Sequence, residues 1–124
     1  MNIKPTDSEL EILNILWDKG PSTVREVHEV LEKNKDAGYT TTLKLMQIMF
    51  DKGLLKRDSS NKSHIYTANV SQEKTQGHLV QRMIDNVFNG SASQLVMQAL
   101  GNYKASPQEL DEIKKYLDEI SKQK

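Results

Sequence analysis

Gly38-Tyr39-Thr40-Thr41-Thr42-Leu43-Lys44-Leu45-Met46-Gln47-Ile48-Met49-Phe50-Asp51-Lys52-Gly53 reads as one helix with a start, a stop and two unlike faces. Thr40 is a good N-cap residue, and Gly53 stands where a helix needs a left-handed stop. Wound at about 100° per residue, Thr42, Leu45, Met46 and Met49 share one face, and Thr40, Lys44, Gln47 and Asp51 share the opposite one. The polar strip is narrow and is flanked by Leu43, Ile48 and Phe50. Its short hydroxyls, amide and amine are the side-chain types that read base edges and phosphates in a major groove. An ordinary amphipathic helix with a polar outer face has the same pattern, so the neighbouring segments must decide.

Upstream, Thr6-Asp7-Ser8-Glu9 has capping-box form, and Leu10, Ile12, Leu13, Leu16 and Trp17 supply an apolar stripe that ends at Gly20-Pro21. Trp17 is expected to anchor a core. Ser22 is expected to cap a second helix, with Val24, Val27, Val30 and Leu31 turned inward and Arg25, Glu26, Glu29, Glu32 and Lys33 outward. After the polar turn 34–38, the quoted stretch is therefore a third helix. Helix, helix, short turn, helix is the order of a helix-turn-helix unit, whose last helix enters the major groove. Downstream, Leu54 to Arg57 and Ser63 to Thr67 flank the turn-rich Asp58-Ser59-Ser60-Asn61-Lys62, which predicts a hairpin. Three helices and a basic hairpin make a winged helix-turn-helix.

Beyond Val70 the pattern changes. Leu79/Val80, Met83/Ile84 and Val87/Phe88 form one seam advancing by four residues, broken at Asn89-Gly90. Ser91 is placed to cap a short helix with Leu95, Val96 and Leu100. Ser106-Pro107-Gln108-Glu109 opens a last helix with Leu110, Ile113, Leu117 and Ile120 at a/d spacing. Three short helices make little core alone. Either they dock on the first domain or they self-associate, and self-association is the expectation. Its candidate residues are Leu79, Met83, Val87, Leu95, Leu100, Ile113, Leu117 and Ile120. The fold class is therefore mainly α, a winged helix-turn-helix over residues 1–70 with a C-terminal helical dimerisation domain over residues 71–124.

Charge and composition bound the function. Seventeen basic and seventeen acidic residues leave no global basic signature, yet Thr40 to Tyr66 holds Lys44, Lys52, Lys56, Arg57 and Lys62 against only Asp51 and Asp58. The charge is zoned. No apolar run approaches the roughly eighteen residues of a membrane span, no secretory signal opens the chain, and a cytoplasmic location without direct membrane binding is expected. The chain has no cysteine, which excludes disulfides and thiolate metal sites. His28, His64 and His78 show no paired ligand spacing, so no metal and no cofactor is expected. No nucleophile motif or phosphate loop is present, and the chain reads as a non-enzyme.

The sequence resembles the penicillinase repressor family of BlaI/MecI/CopY-type winged-helix transcriptional regulators along nearly its whole length. Thr6 with Glu9, Ile12-Leu13 and Leu16-Trp17 look like that family's first helix. Tyr39-Thr40-Thr41 through Gln47 to Lys52-Gly53-Leu54 is similar to its recognition helix and exit, and Tyr66 matches the wing's tyrosine. Leu95-Val96 and the Ser106 to Leu110 helix start resemble its C-terminal domain. The resemblance implies a bacterial repressor that dimerises through its C-terminal helices and binds a palindromic operator on double-stranded DNA. In antibiotic-resistance members a membrane sensor protease system leads to cleavage in the C-terminal domain, and the resemblance places that bond at Gln98-Ala99. The pattern is departed from in three places. The cysteines of the copper-responsive members are missing, Gln98-Ala99 replaces the usual Asn-Phe, and Ile48 stands where many members carry a basic residue.

On this reading Thr40, Thr41, Lys44 and Gln47 are the base-proximal group, because Gln pairs with adenine and threonine methyls meet thymine methyls. Arg57, Lys62 and His64 on the hairpin are phosphate candidates, and Tyr66 is expected to divide between packing and a hydroxyl contact. The competing reading is a winged-helix adaptor that docks on another protein through Leu43, Ile48 and Phe50 without sequence-specific DNA binding.

Overall fold

The computed structural model describes residues 4–123. Its elements run α1 (Asp7–Lys19), α2 (Val24–Glu32), α3 (Tyr39–Asp51), β1 (Leu55–Asp58), β2 (Ile65–Ala68), α4 (Gln72–Asn86), α5 (Ala92–Asn102) and α6 (Pro107–Lys122). The chain divides into two compact units, Met1–Gln76 and Gly77–Lys124, so the division falls inside α4.

Local sequence sets most helix ends in the first unit. The Thr6 hydroxyl accepts from the Glu9 N–H at 3.2 Å while the Glu9 carboxylate accepts from the Thr6 N–H at 2.8 Å, the reciprocal cap read from the sequence. Gly20 stops α1 with φ +85°, and its N–H donates to the Leu16 carbonyl. At the end of α3, Gly53 takes φ +87°. Its N–H bonds the Phe50 carbonyl while the Leu54 N–H reaches the Met49 carbonyl at 2.9 Å, a Schellman stop with Leu54 buried beneath it.

Two helix starts differ from expectation. The cap of α2 is Thr23, whose hydroxyl accepts from the Glu26 N–H, and not Ser22. Ser22 is committed elsewhere. Its backbone exchanges two hydrogen bonds with Tyr66, at 2.8 and 3.0 Å, and its hydroxyl donates to the Gly20 carbonyl. The third helix starts at Tyr39 with Gly38 as its cap and no side-chain cap bond, so Thr40 lies in the first turn. A helical Tyr39 sets its ring against Arg25 and His28 from α2. With those contacts made, Thr40 gives up the roughly 1 kcal/mol that a threonine cap supplies.

The core gathers Ile12, Leu13 and Leu16 from α1, Val24, Val27 and Leu31 from α2, and Met46 and Met49 from α3, with Leu54, Leu55 and Tyr66 closing it from the hairpin side. The strands pair antiparallel, with Leu55 opposite Ala68 and Arg57 opposite Tyr66. Trp17 packs half-buried against this core, and its indole N–H donates to the Val70 carbonyl at 3.0 Å, tying the entry to α4 onto α1. Fully burying each of these large side chains contributes about 1.5–3 kcal/mol.

The second unit is differently built. Ser91 and Ser106 cap α5 and α6 as read, the latter with a complete Ser106/Glu109 box. Asn89 and Gly90, both at positive φ, separate α4 from α5. No described residue from Gly77 onward is buried. Met83, Val87 and Leu117 are 50%, 65% and 54% exposed, and Leu79, Leu95, Leu100, Ile113 and Ile120 are half-buried. Val80 of the Leu79/Val80 pair is exposed as well, and Met97, Tyr103 and Tyr116 add exposed apolar surface outside the seams read from the sequence. Gln98 and Ala99 are exposed within α5, where the Gln98 carbonyl accepts from the Asn102 side-chain amide at 2.9 Å.

Candidate nucleic-acid interface

Helix α3 turns Thr42, Met46 and Met49 into the core, which forces Thr40, Thr41, Lys44 and Gln47 outward, and all four are exposed. They form a ridge between two hollows. Gln47 lines the hollow towards the hairpin, whereas Thr41 lines one of about 280 Å³ on the other flank with Ser8, Glu11 and Lys35. The four residues thus share the outer surface without meeting in one pocket. Ile48 is 43% exposed on the same surface.

The hollow towards the hairpin has a volume of about 370 Å³. Thr23 and Arg25 enter it from the start of α2, Tyr39 and Gln47 from α3, and Arg57, Lys62, Ser63 and His64 from the hairpin. Three cationic side chains line it, and no carboxylate does among the described residues. A concave wall of one sign focuses potential and draws a polyanion.

Neighbouring groups hold the hairpin side chains in place. The Arg57 guanidinium lies 4.1 Å from the centre of the Phe50 ring. The Ser59 hydroxyl and His64 Nδ1 are 2.8 Å apart across the turn. The Asp58 carboxylate accepts from the Ser60 N–H at 3.0 Å, and that backbone hydrogen bond holds its pKa below the ordinary carboxylate value. Tyr66 is only 2% exposed and belongs to the core cluster. Its structural part is to carry the Ser22 bridge, and its ring lies 6.5 Å from that of His64.

The local charge is smaller than the sequence suggested. Lys52 Nζ is 2.8 and 2.9 Å from the two oxygens of Glu9, which is 2% exposed. Burial pushes the Glu9 carboxyl up, but the Lys52 hydrogen bond, the Thr6 N–H and the Lys52 charge outweigh it and hold the pKa below its usual value. Lys52 therefore tethers α3 to α1 and does not add to the positive field. Sequence reasoning treated Arg25 as an outward charge and named Tyr39 only as part of a motif. Both line the cleft, a placement that depends on α2 crossing α3. Among the described residues no group of three or more His, Asp or Glu is arranged to hold a metal ion.

Three helices whose last is followed by a basic two-stranded hairpin define a winged helix-turn-helix, a class built to place one helix in a DNA groove. The sequence pattern of the penicillinase repressor family matches residues 5–119, and the chain belongs to that family. The penicillinase repressor of Staphylococcus aureus is 23% identical over 115 residues, covering 93% of this chain and 91% of the relative. The methicillin resistance regulatory protein MecI of Staphylococcus epidermidis is 24% identical over 113 residues, covering 91% and 92%. The transcriptional regulator BlaI of Mycobacterium tuberculosis is 27% identical over 116 residues, covering 92% and 83%. Members of the family are transcriptional regulators and not enzymes. Among the described residues no helix is long and apolar enough to cross a membrane.

Proposed function

We propose that the chain is a transcriptional repressor that binds a palindromic operator as a homodimer. The observation that carries the DNA reading is the exposed ridge of α3 beside a cleft lined by Arg25, Arg57 and Lys62. Thr40, Thr41, Lys44 and Gln47 present themselves to base edges, and Arg57, Lys62 and His64 to phosphates. Tyr66 serves the wing by packing. Residues 1–70 act as the DNA-binding domain and residues 71–124 as the dimerisation domain. The apolar surface of α4, α5 and α6 supports the dimer, because a monomer would leave Met83, Val87 and Leu117 in water. Two-fold pairing sets two recognition helices on half-sites about one DNA turn, or a multiple of it, apart.

Induction acts on the C-terminal domain, through a partner or through proteolysis by a membrane sensor protease system. Uncoupling the two half-sites replaces one bivalent binding event with two weak ones. Cleavage at Gln98-Ala99 requires α5 to open locally, since a helical bond does not fit the extended conformation a protease reads. The repressor works in the bacterial cytoplasm, where its operator is.

Selection from a pool of random duplex DNA at moderate salt tests this function. Enrichment of a palindrome is the expected result. The exposed Ile48 favours the adaptor as the second reading, and weak binding with no enriched sequence would transfer the assignment to it. Replacing the exposed Lys62 with Ala is expected to weaken palindromic and mixed-sequence DNA alike and to flatten log K against log salt by about 0.9 per protomer. An unchanged slope would take the wing out of the interface.

A further inference from the structure

We propose that Arg25 is a phosphate-binding residue set in place by Tyr39, and that it works with Arg57 as a pair bracketing Gln47. The proposal rests on the DNA reading above and extends it to two residues outside the expected contact set. Tyr39 and Phe50 are eleven residues apart on α3, which returns them to within about 20° of one flank. At about 1.5 Å per residue they are separated by roughly 16 Å along the axis. Each carries an arginine from a different element. The Arg25 guanidinium of α2 lies 5.0 Å from the Tyr39 ring centre, and that of Arg57 in β1 lies 4.1 Å from the Phe50 ring centre.

A guanidinium held over a ring by cation–π attraction keeps N–H donors for phosphate oxygens. Among the described residues neither arginine forms a salt bridge. Both line the same cleft, with Gln47 in its wall. Tyr39 is itself braced, because the His28 ring meets it edge-on at 5.5 Å. His28 is buried, with Nδ1 2.9 Å from the Thr42 hydroxyl and Nε2 paired with Glu32. The ring under Arg25 is therefore fixed by contacts across α2 and α3. An arginine ordered before binding loses less freedom on meeting DNA. Phosphate contacts carry no sequence information, but they fix how a recognition helix sits in its groove. Two arginines held over aromatic rings on one flank of α3 hold Gln47 in a defined register against the bases.

The test uses the full chain with a labelled duplex bearing the selected palindrome and a mixed-sequence duplex of equal length. Arg25 is exposed, so Arg25→Ala leaves the core intact, which thermal unfolding checks. Affinity is expected to fall on the order of tenfold on both duplexes, with the salt slope flatter by about 0.9 per protomer. Arg25→Lys should restore the slope but not the full affinity, because an ammonium keeps the charge and loses the stack. Tyr39→Leu should weaken binding in the parent chain and change nothing further in the Arg25→Ala background, while Tyr39→Phe binds normally. Unchanged affinity and slope in Arg25→Ala would overturn the proposal, as would a loss confined to the palindrome. Additive losses from Arg25→Ala and Tyr39→Leu would remove the positioning role of Tyr39. A parent chain that binds neither duplex would instead sink the DNA reading itself.

Discussion

Leu117→Asp is expected to convert dimers into monomers and to weaken binding to a two-half-site operator by about a hundredfold to ten-thousandfold. In the single chain Leu117 is 54% exposed on α6, so the new carboxylate would face water and cost the fold little. In an apolar seam with Ile113 and Ile120 the same carboxylate would be stripped of water, which is strongly unfavourable. Binding to a duplex with one half-site should stay at the parent level, because α3 and the hairpin lie in the other compact unit. Analytical ultracentrifugation with titration of both duplexes checks the two halves of this result. A variant that still sediments as a dimer would show that the seam runs elsewhere, with Met97 and Tyr116 the next surface to examine.

The second large effect concerns the tether between the first and third helices. Lys52→Met should lower the stability of the first compact unit by about 2–4 kcal/mol, because it leaves the carboxylate of the buried Glu9 without its cation. The value is set about 1 kcal/mol below that for a fully buried pair, since Lys52 is about one-third exposed and water screens it. The unfolding midpoint should fall by roughly 10–20 °C. The loss should depend on pH in a stated direction. Glu9 is held below its ordinary pKa of 4.5, so the stability it contributes is fully present above that value and disappears as pH falls through the folded pKa. The gap between parent and variant should therefore be widest at neutral pH and narrow in acid. Thermal unfolding at pH 7 and below pH 4 measures it, and a gap independent of pH would mean that Lys52 acts through packing alone.

The features legible in the sequence were those whose physics spans a few residues. Thr6 with Glu9 and Ser106 with Glu109 announce their capping boxes because both partners lie within one turn. Gly20 and Gly53 mark stops because positive φ strains any residue with a Cβ. The spacing of Thr42, Met46 and Met49 sorted the faces of α3, and that sorting put Thr40, Lys44 and Gln47 on the outside. The errors came where residues distant in the chain fixed a backbone or claimed a charge. Ser22 has the chemistry of a cap but pairs with Tyr66, forty-four positions on in the chain, which passes the cap to Thr23. Thr40 has it too, yet the ring contacts of Tyr39 start the helix earlier. Lys52 counted as part of a positive zone until Glu9, itself a capping residue, proved to be its partner.

The sequence by itself determined the class of the molecule: helix order, the hairpin after the third helix, the polar ridge of that helix and the apolar seams of the second half. These follow from periodicity, capping and turn chemistry, which are local and survive any arrangement of the elements. The tertiary structure alone decided which charges stand free and which are neutralised, and which side chains from α2, α3 and the hairpin share one cleft. Those outcomes depend on how α2 crosses α3 and how the hairpin folds back on Ser22. Hydrogen bonds act over about 3 Å and exposed charges are screened beyond roughly 8–10 Å, so the surroundings of a cation such as Arg25 are set only when folding brings Tyr39 beneath it.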